Sequence, residues 1–387
     1  MRYILVSLLA ILLASCGGGG GDGSQTGVVT PLPPLSADLA PRFRGASIND
    51  YRDWSDPTLP EWSYIDEFPV WGGNMISIIL KPYFQGVPIL PGHPLTERLA
   101  RALQRYIPLI DWALKHHVYV NLRFNQVNSW PGQPKTIWPE DDGRSLWQDA
   151  TAQDELIQAW TDIAKQFKGQ VGLLFNVVTE PQTTDTTETS GGLVWRAWND
   201  LYPRLDAAIR TQDPQRRVIV EPAFGDPAGF APQFGDPTDF PGLAVSSDPN
   251  VMYEFHFYFP HYFTCQGCGG VNPPAGSVTY PGITQDASWE PALYWDKTEL
   301  AVRLQPAVDF RDANHVRVLA GEFGCDTMAP EASRLQWVTD VVDLLETDNF
   351  DWAYFLYNAG LVVKKGWGFE GTPLQRVLTS KMALDIP

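Results

Sequence analysis

Eight short runs rich in Val, Ile, Leu and aromatic residues recur along this chain, separated by longer stretches with apolar residues at helical spacing. The runs are Phe43 to Ile48, Met75 to Leu80, Val118 to Phe124, Val171 to Val178, Val218 to Glu221, Val251 to Tyr258, Val316 to Ala320 and Trp352 to Leu356. Their composition is that of strands buried on both faces. Of the intervening stretches, Thr96 to Lys115 places Leu99, Leu103, Ile107 and Ile110 on one face, and Asp154 to Phe167 carries Ile157, Trp160 and Ile163 at helical spacing. Pro330 to Leu345 opens with Pro330 and Glu331, residues suited to a first helical turn. Strands alternating with helices predict a parallel sheet flanked by helices. Eight such units are the number of a closed α/β barrel, the (β/α)8 TIM barrel. An open doubly wound sheet shares the pattern, but no glycine-rich phosphate loop follows the first strand.

The 387 residues accommodate one such barrel and a leader. Arg2 and the short apolar run Ile4 to Leu13 have the form of an export signal, and the run is too short to span a bilayer. It ends in Leu13-Ala14-Ser15-Cys16, which resembles a bacterial lipobox and implies cleavage before Cys16 and lipidation of its thiol. Gly17, not Asp, follows, which in a Gram-negative bacterium implies sorting to the outer membrane or cell surface. Residues 1–16 are therefore expected to be a lipoprotein signal, residues 17–40 a flexible Gly/Pro-rich tether, and residues 41–387 one folded domain, working as a monomer. The formal charge of −17 repels phosphate backbones and sets nucleic-acid binding aside.

In a barrel of this kind the active site lies at the C-terminal ends of the strands. The fourth strand ends there in Thr179-Glu180-Pro181, the sixth holds Glu254-Phe255-His256-Phe257-Tyr258, and the seventh ends in Gly321-Glu322-Phe323-Gly324. Taken singly, Glu180 reads equally as a helix-start carboxylate and Glu322 as a surface charge at a strand end. Taken together they are two carboxylates projecting from the tops of the fourth and seventh strands, the pair that glycosidic hydrolysis requires.

At these residues the chain resembles glycoside hydrolase family 5, over most of its length from about Arg44 to Trp367. Arg44-Gly45-Ala46 is similar to that family's opening strand, and Tyr253 to Tyr258 to its sixth-strand motif. Phe263-Thr264, Gln266-Gly267 and Tyr280-Pro281-Gly282 fit the segment that follows, and Gly321 to Gly324 is similar to its nucleophile motif. The resemblance implies a retaining β-glycanase, foremost an endo-β-1,4-glucanase, with a mannanase or another β-glycanase as alternatives. It implies a polysaccharide substrate and no metal or cofactor. Glu180 takes the role of acid/base and Glu322 that of nucleophile. Tyr258 orients Glu322, and His256 lines the sugar site beside the scissile bond.

Four positions depart from the family pattern. Ser77 stands where the family usually has Arg, Asn125 where it has His, Thr179 where it has Asn, and Phe355 where it has Trp. Asn125, Thr179 and Phe355 are still expected on the sugar-facing rim, with Thr179 donating one hydrogen bond. Arg123 on the third strand is expected to replace the missing guanidinium. These departures favour a second class of function, a surface carbohydrate-binding protein that kept its cleft and lost turnover, whereas the intact carboxylate pair favours the enzyme. A phosphate-binding aldolase-like barrel lacks both its phosphate loop and a strand-end Schiff-base lysine.

The loop after the third strand carries Trp130, Trp138 and Trp147 among Pro131, Pro134 and Pro139. Trp130 and Trp138 suit sugar platforms and loop packing equally, Trp147 suits packing, and Trp367 is a further platform candidate. Thr183 to Thr189 is a polar, solvated insertion. Cys265 and Cys268 form a CxxC with no further ligands of zinc spacing. Cys325 follows the nucleophile motif on a neighbouring loop, so a disulfide between Cys325 and one of the pair is expected, with a Cys265–Cys268 bridge as the alternative.

Overall fold

The computed structural model describes residues 32–36, 42–48, 65–84, 87–125, 145–182, 193–223, 237–268, 272–286, 291–357, 368–369 and 371–383. Cys16, most of the tether, Trp130, Trp138, Trp367 and Thr183 to Thr189 lie outside them. No helix among the described residues is long and apolar enough to cross a membrane.

Eight parallel strands close into a barrel in sequence order. They are β1 (Arg44–Ser47), β2 (Met75–Leu80), β3 (Tyr119–Asn125), β4 (Leu173–Thr179), β5 (Val218–Val220), β6 (Val251–Phe257), β7 (Val318–Phe323) and β8 (Asp351–Tyr354). All eight expected runs are present, with ends shifted by up to three residues. The largest shift is on β7, which runs on through Gly321 and Glu322. The longer helices are α1 (Leu95–Lys115), α2 (Ala150–Gln166), α3 (Leu193–Gln212), α4 (Lys297–Asn314), α5 (Glu331–Thr347) and α6 (Pro373–Met382). Helix α2 begins four residues before its expected start because Asp149 caps it, accepting from Thr151 N at 2.8 Å and Ala152 N at 3.3 Å.

Strand periodicity sorts the side chains into an outer and an inner set. Val120, Leu122 and Phe124 of β3 join the main apolar core. Tyr119, Asn121 and Arg123 alternate with them on the inner face, and Met252, Glu254 and His256 do the same on β6. The inner set starts apolar: Phe43, Met75, Tyr119, Leu174, Ile219, Met252 and Leu319 plug the lower barrel. One residue pair higher it turns polar, with Asn121, Asn176, Glu221 and Glu254 fully buried. Burying charge this deep is costly unless the groups pair with one another, so this layer is organised by its hydrogen bonds.

Candidate active site

Two β-bulges shape the rim. Between β3 and β4, Arg123 pairs with Asn176 but Asn125 pairs with Thr179, so β4 holds one extra residue. Between β6 and β7, Phe255 pairs with Ala320 but His256 pairs with Glu322, so β7 holds one extra residue at Gly321. Each bulge comes just before one of the two expected catalytic carboxylates and re-aims the strand end that carries it. At Gly321 only glycine fits, because a Cβ there would lie 1.8 Å from Glu254 Oε1. Gly321→Ala is therefore expected to destabilise the domain by about 3 kcal/mol, the scale of an overpacked and strained core position. Thermal and denaturant unfolding measure it, and an unchanged midpoint would contradict the close approach.

Arg123 sits at the centre of the site, completely buried. Its Nη1 donates to Glu322 Oε1 at 2.7 Å, and its Nη2 donates to Thr179 Oγ1 and meets His256 Nε2 at 2.8 Å. Its Nε lies 3.5 Å from Glu254 Oε1, and its Nη2 lies 3.7 Å from Glu221 Oε1. Burial works against its charge, but Glu322, Glu254 and Glu221 outweigh burial and hold the guanidinium protonated. Position 77, where the family usually carries this charge, holds a buried serine on β2. The guanidinium thus comes from β3.

Glu322 receives Arg123 on one oxygen and the Tyr258 hydroxyl on the other at 2.8 Å. Burial favours its neutral form, yet Arg123 and the bond from Tyr258 hold its carboxyl below the ordinary range. Burial and the Glu322 charge push the Tyr258 phenol well above its ordinary value, so it stays a donor. Glu180 follows β4 in a left-handed backbone conformation, φ 49°. Its Oε1 lies 2.7 Å from His256 Nδ1.

A guanidinium can only donate, so His256 Nε2 must accept from Arg123 and Nδ1–H must donate to Glu180. Burial lowers the imidazole pKa while Glu322 and Glu221 raise it to well above the ordinary value. Contact geometry decides the resting form, because a proton on Nε2 would face another N–H at 2.8 Å. One oxygen each of Glu180 and Glu322 and a nitrogen of His256 all lie within 4.8 Å of one another. Glu221, Glu254 and His256 form a second such set. Both have the composition of metal ligands, but Arg123 already supplies the positive charge between them.

The structure therefore brings Glu180, Glu322, His256, Tyr258 and Thr179 together, and it corrects how two of them stand. Thr179 spends its one hydroxyl proton on Glu221 Oε1 at 2.7 Å, so it supports the wall and has no proton left to donate to a sugar. His256 is buried, with both ring nitrogens engaged by Arg123 and Glu180. Asn125 lies beside Thr179 at the end of β3, half-buried. Phe355 follows β8, half-buried, its backbone N–H on Phe323 O at 2.8 Å. Trp147 packs as expected, buried edge-on against Trp198 with Nε1 on Gln182 O at 2.9 Å.

The expected Cys325 disulfide is not formed. The turn after the short helix His261–Thr264 places Cys265 and Cys268 with Cα atoms 5.4 Å apart, and they bridge each other. Cys325 is a free thiol buried in the core, where burial pushes its pKa far up and keeps it inert. Arg123 was expected to supply the guanidinium, but its partners across the site and the role of Glu221 were not legible along the chain. For Glu221 the available signal was a third carboxylate closing an expected strand.

A closed parallel barrel with two facing carboxylates over a buried guanidinium defines the class. The chain matches the cellulase family, glycosyl hydrolase family 5, over residues 35–360 and belongs to it. It is 26% identical over 233 residues to Endoglucanase C of Acetivibrio thermocellus, a match covering 55% of this chain and 62% of that protein. It is 23% identical over 349 residues to Endoglucanase H of the same organism, covering 87% of this chain and 32% of that one. The chain thus spans less than two thirds of either relative. Among solved structures it shares its fold with a hyperthermophilic endo-β-1,4-glucanase in complex with substrate (TM-score 0.63, 21% identity, 88% of this chain and 97% of that one). It also shares it with Thermotoga maritima Cel5A in complex with mannotriose (TM-score 0.63, 19% identity, 88% and 97%).

Proposed function

We propose that this protein is a retaining endo-β-1,4-glucanase. The observation that carries the reading is that one carboxylate oxygen of Glu180 and one of Glu322 lie within 4.8 Å of each other at the barrel mouth. A retaining pair stands roughly 5 Å apart, whereas an inverting pair needs about 6.5 Å or more to admit a water. In this mechanism Glu322, held ionised by Arg123 and Tyr258, attacks the anomeric carbon and forms a glycosyl ester. Glu180 gives its proton to the departing oxygen, then takes one from the water that cleaves the ester. His256 Nδ1–H engages Glu180 Oε1, and Gln182 Nε2 donates to Glu180 Oε2 at 3.4 Å, so both oxygens are oriented by neighbours. The names of the endoglucanase relatives support β-1,4-glucan. The mannotriose complex of a structural neighbour supports mannan as a second substrate.

The test incubates the purified protein with cellulose, mixed-linkage glucan, mannan and xylan, counts reducing ends and follows the first-formed anomer by NMR. Release of β-anomer from glucan is the expected result, and release of the α-anomer would overturn the retaining assignment. Binding without release from any polymer would favour the carbohydrate-binding reading that the four departures support. The leader supports attachment to a membrane through a lipid at Cys16, and a Cys16→Ala protein that still partitions with membranes would sink that part.

A further inference from the structure

We propose that Glu221 is the positioning residue for the acid/base, the group that holds Glu180 in its working geometry from beneath the cleft. The inference rests on the hydrolase reading and adds a residue to it. Glu221 follows β5 and is completely buried. Its Oε1 accepts from Asn176 Nδ2 at 2.5 Å and from Thr179 Oγ1 at 2.7 Å, and its Oε2 accepts from the Glu180 backbone N–H at 2.7 Å. All three donors belong to β4 or the residue after it, and two of them are the last two residues of the Thr179-Glu180 rim.

Glu254, the other buried carboxylate, is not built this way. It accepts from Asn121 Nδ2 at 2.8 Å, and its Oε1 has no hydrogen-bond partner among the described residues.

Three features give this grip a mechanical purpose. Glu180 has φ 49°, which costs a non-glycine residue of order 1 kcal/mol and persists only where the surroundings enforce it. The bulge in β4 removes regular ladder pairing at this point. Thr179 stands where the family usually has Asn, and its hydroxyl chains Arg123 to Glu221 instead of facing a sugar. A carboxylate is the group that answers this set of donors, because it offers acceptor sites on both oxygens and presents no proton to a backbone N–H. Burial pushes the Glu221 carboxyl above its ordinary range while Arg123 opposes that rise, so its grip weakens as pH falls.

The test compares Glu221→Gln with wild type on two β-cellobiosides. One carries 2,4-dinitrophenolate, which departs without a proton; the other carries a poor leaving group that needs the acid. The amide keeps the shape but turns an NH2 toward the Glu180 N–H. The expected result is a loss of kcat/KM of about 10²-fold or more on the poor leaving group, with the activated substrate within about threefold of wild type. A Glu180→Ala control should show the same split. If Glu221→Gln does not fold, as judged by circular dichroism and the melting midpoint, Glu221→Asp decides, because it keeps the charge but withdraws the acceptor by one methylene. Equal loss on both substrates, or no loss on either, in a folded variant of an active enzyme overturns the positioning role alone. A wild type that cleaves neither substrate overturns the β-glucanase reading, and this inference falls with it.

Discussion

Glu322→Gln is expected to fold normally and to lose hydrolysis by about 10⁴-fold or more, the scale of removing a covalent nucleophile. The substitution is isosteric, and the amide oxygen still accepts a hydrogen bond, so Tyr258 or Arg123 keeps a partner on that side. What disappears is the anionic oxygen that forms the glycosyl ester. The same carboxylate sets the acid limb of the wild-type pH profile. Its folded pKa lies below the ordinary value of 4.5 because Arg123 and the Tyr258 hydroxyl outweigh burial. Activity therefore holds above that lowered pKa and falls as pH drops through it. The contribution of Glu322 to stability has the same sign: it is fully present above the unfolded pKa and is lost as pH falls through the folded one. A profile of kcat/KM against pH checks this, and an acid limb centred well above 4.5 would show that Glu322 is not held as described.

The second large effect is expected at Arg123. Arg123→Met keeps much of the volume and removes the guanidinium that touches Glu322, Thr179 and His256. Removing one partner of a buried ionic network costs on the order of 3–5 kcal/mol, because the carboxylates left behind stay buried without their counter-charge. They respond by taking up protons, Glu322 among them, and a protonated Glu322 is a poor nucleophile. Catalysis is therefore expected to fall by about 10³-fold or more, together with a large drop in melting temperature. Adding Ser77→Arg returns a guanidinium at the family's usual position on β2. Ser77 pairs in register with Asn121, two residues before Arg123 on the same inner face. The double variant is expected to recover part of the activity. A fully active Arg123→Met protein would refute the idea that the charge has moved from β2 to β3.

Much of this was legible along the chain, and particular residues show why. The run Met252, Glu254, His256 places apolar, acidic and imidazole groups on one face by the period of two alone, and the same holds for Tyr119, Asn121 and Arg123. Strand position then puts Glu180 and Glu322 at the barrel mouth, since parallel strands present their C-terminal ends together. Helix α2 gained a turn from an Asp149 cap that its apolar pattern does not reveal.

Local periodicity and motif spacing are properties of neighbouring residues, and through them the sequence showed the eight strands, three of the helices and the carboxylate pair. Closure of the barrel set the register between strands, and the one-residue bulges in β4 and β7 depend on that register. Only through those bulges does Thr179 turn its proton to Glu221, Gly321 make room for Glu254, and Arg123 meet partners from β4, β6 and β7. The bridge between Cys265 and Cys268, with Cys325 left buried and alone, was likewise decided by a turn and by which face of the core a side chain entered. Contacts between residues far apart in sequence exist only once the strands are aligned, so the tertiary structure decided the charge network under the site.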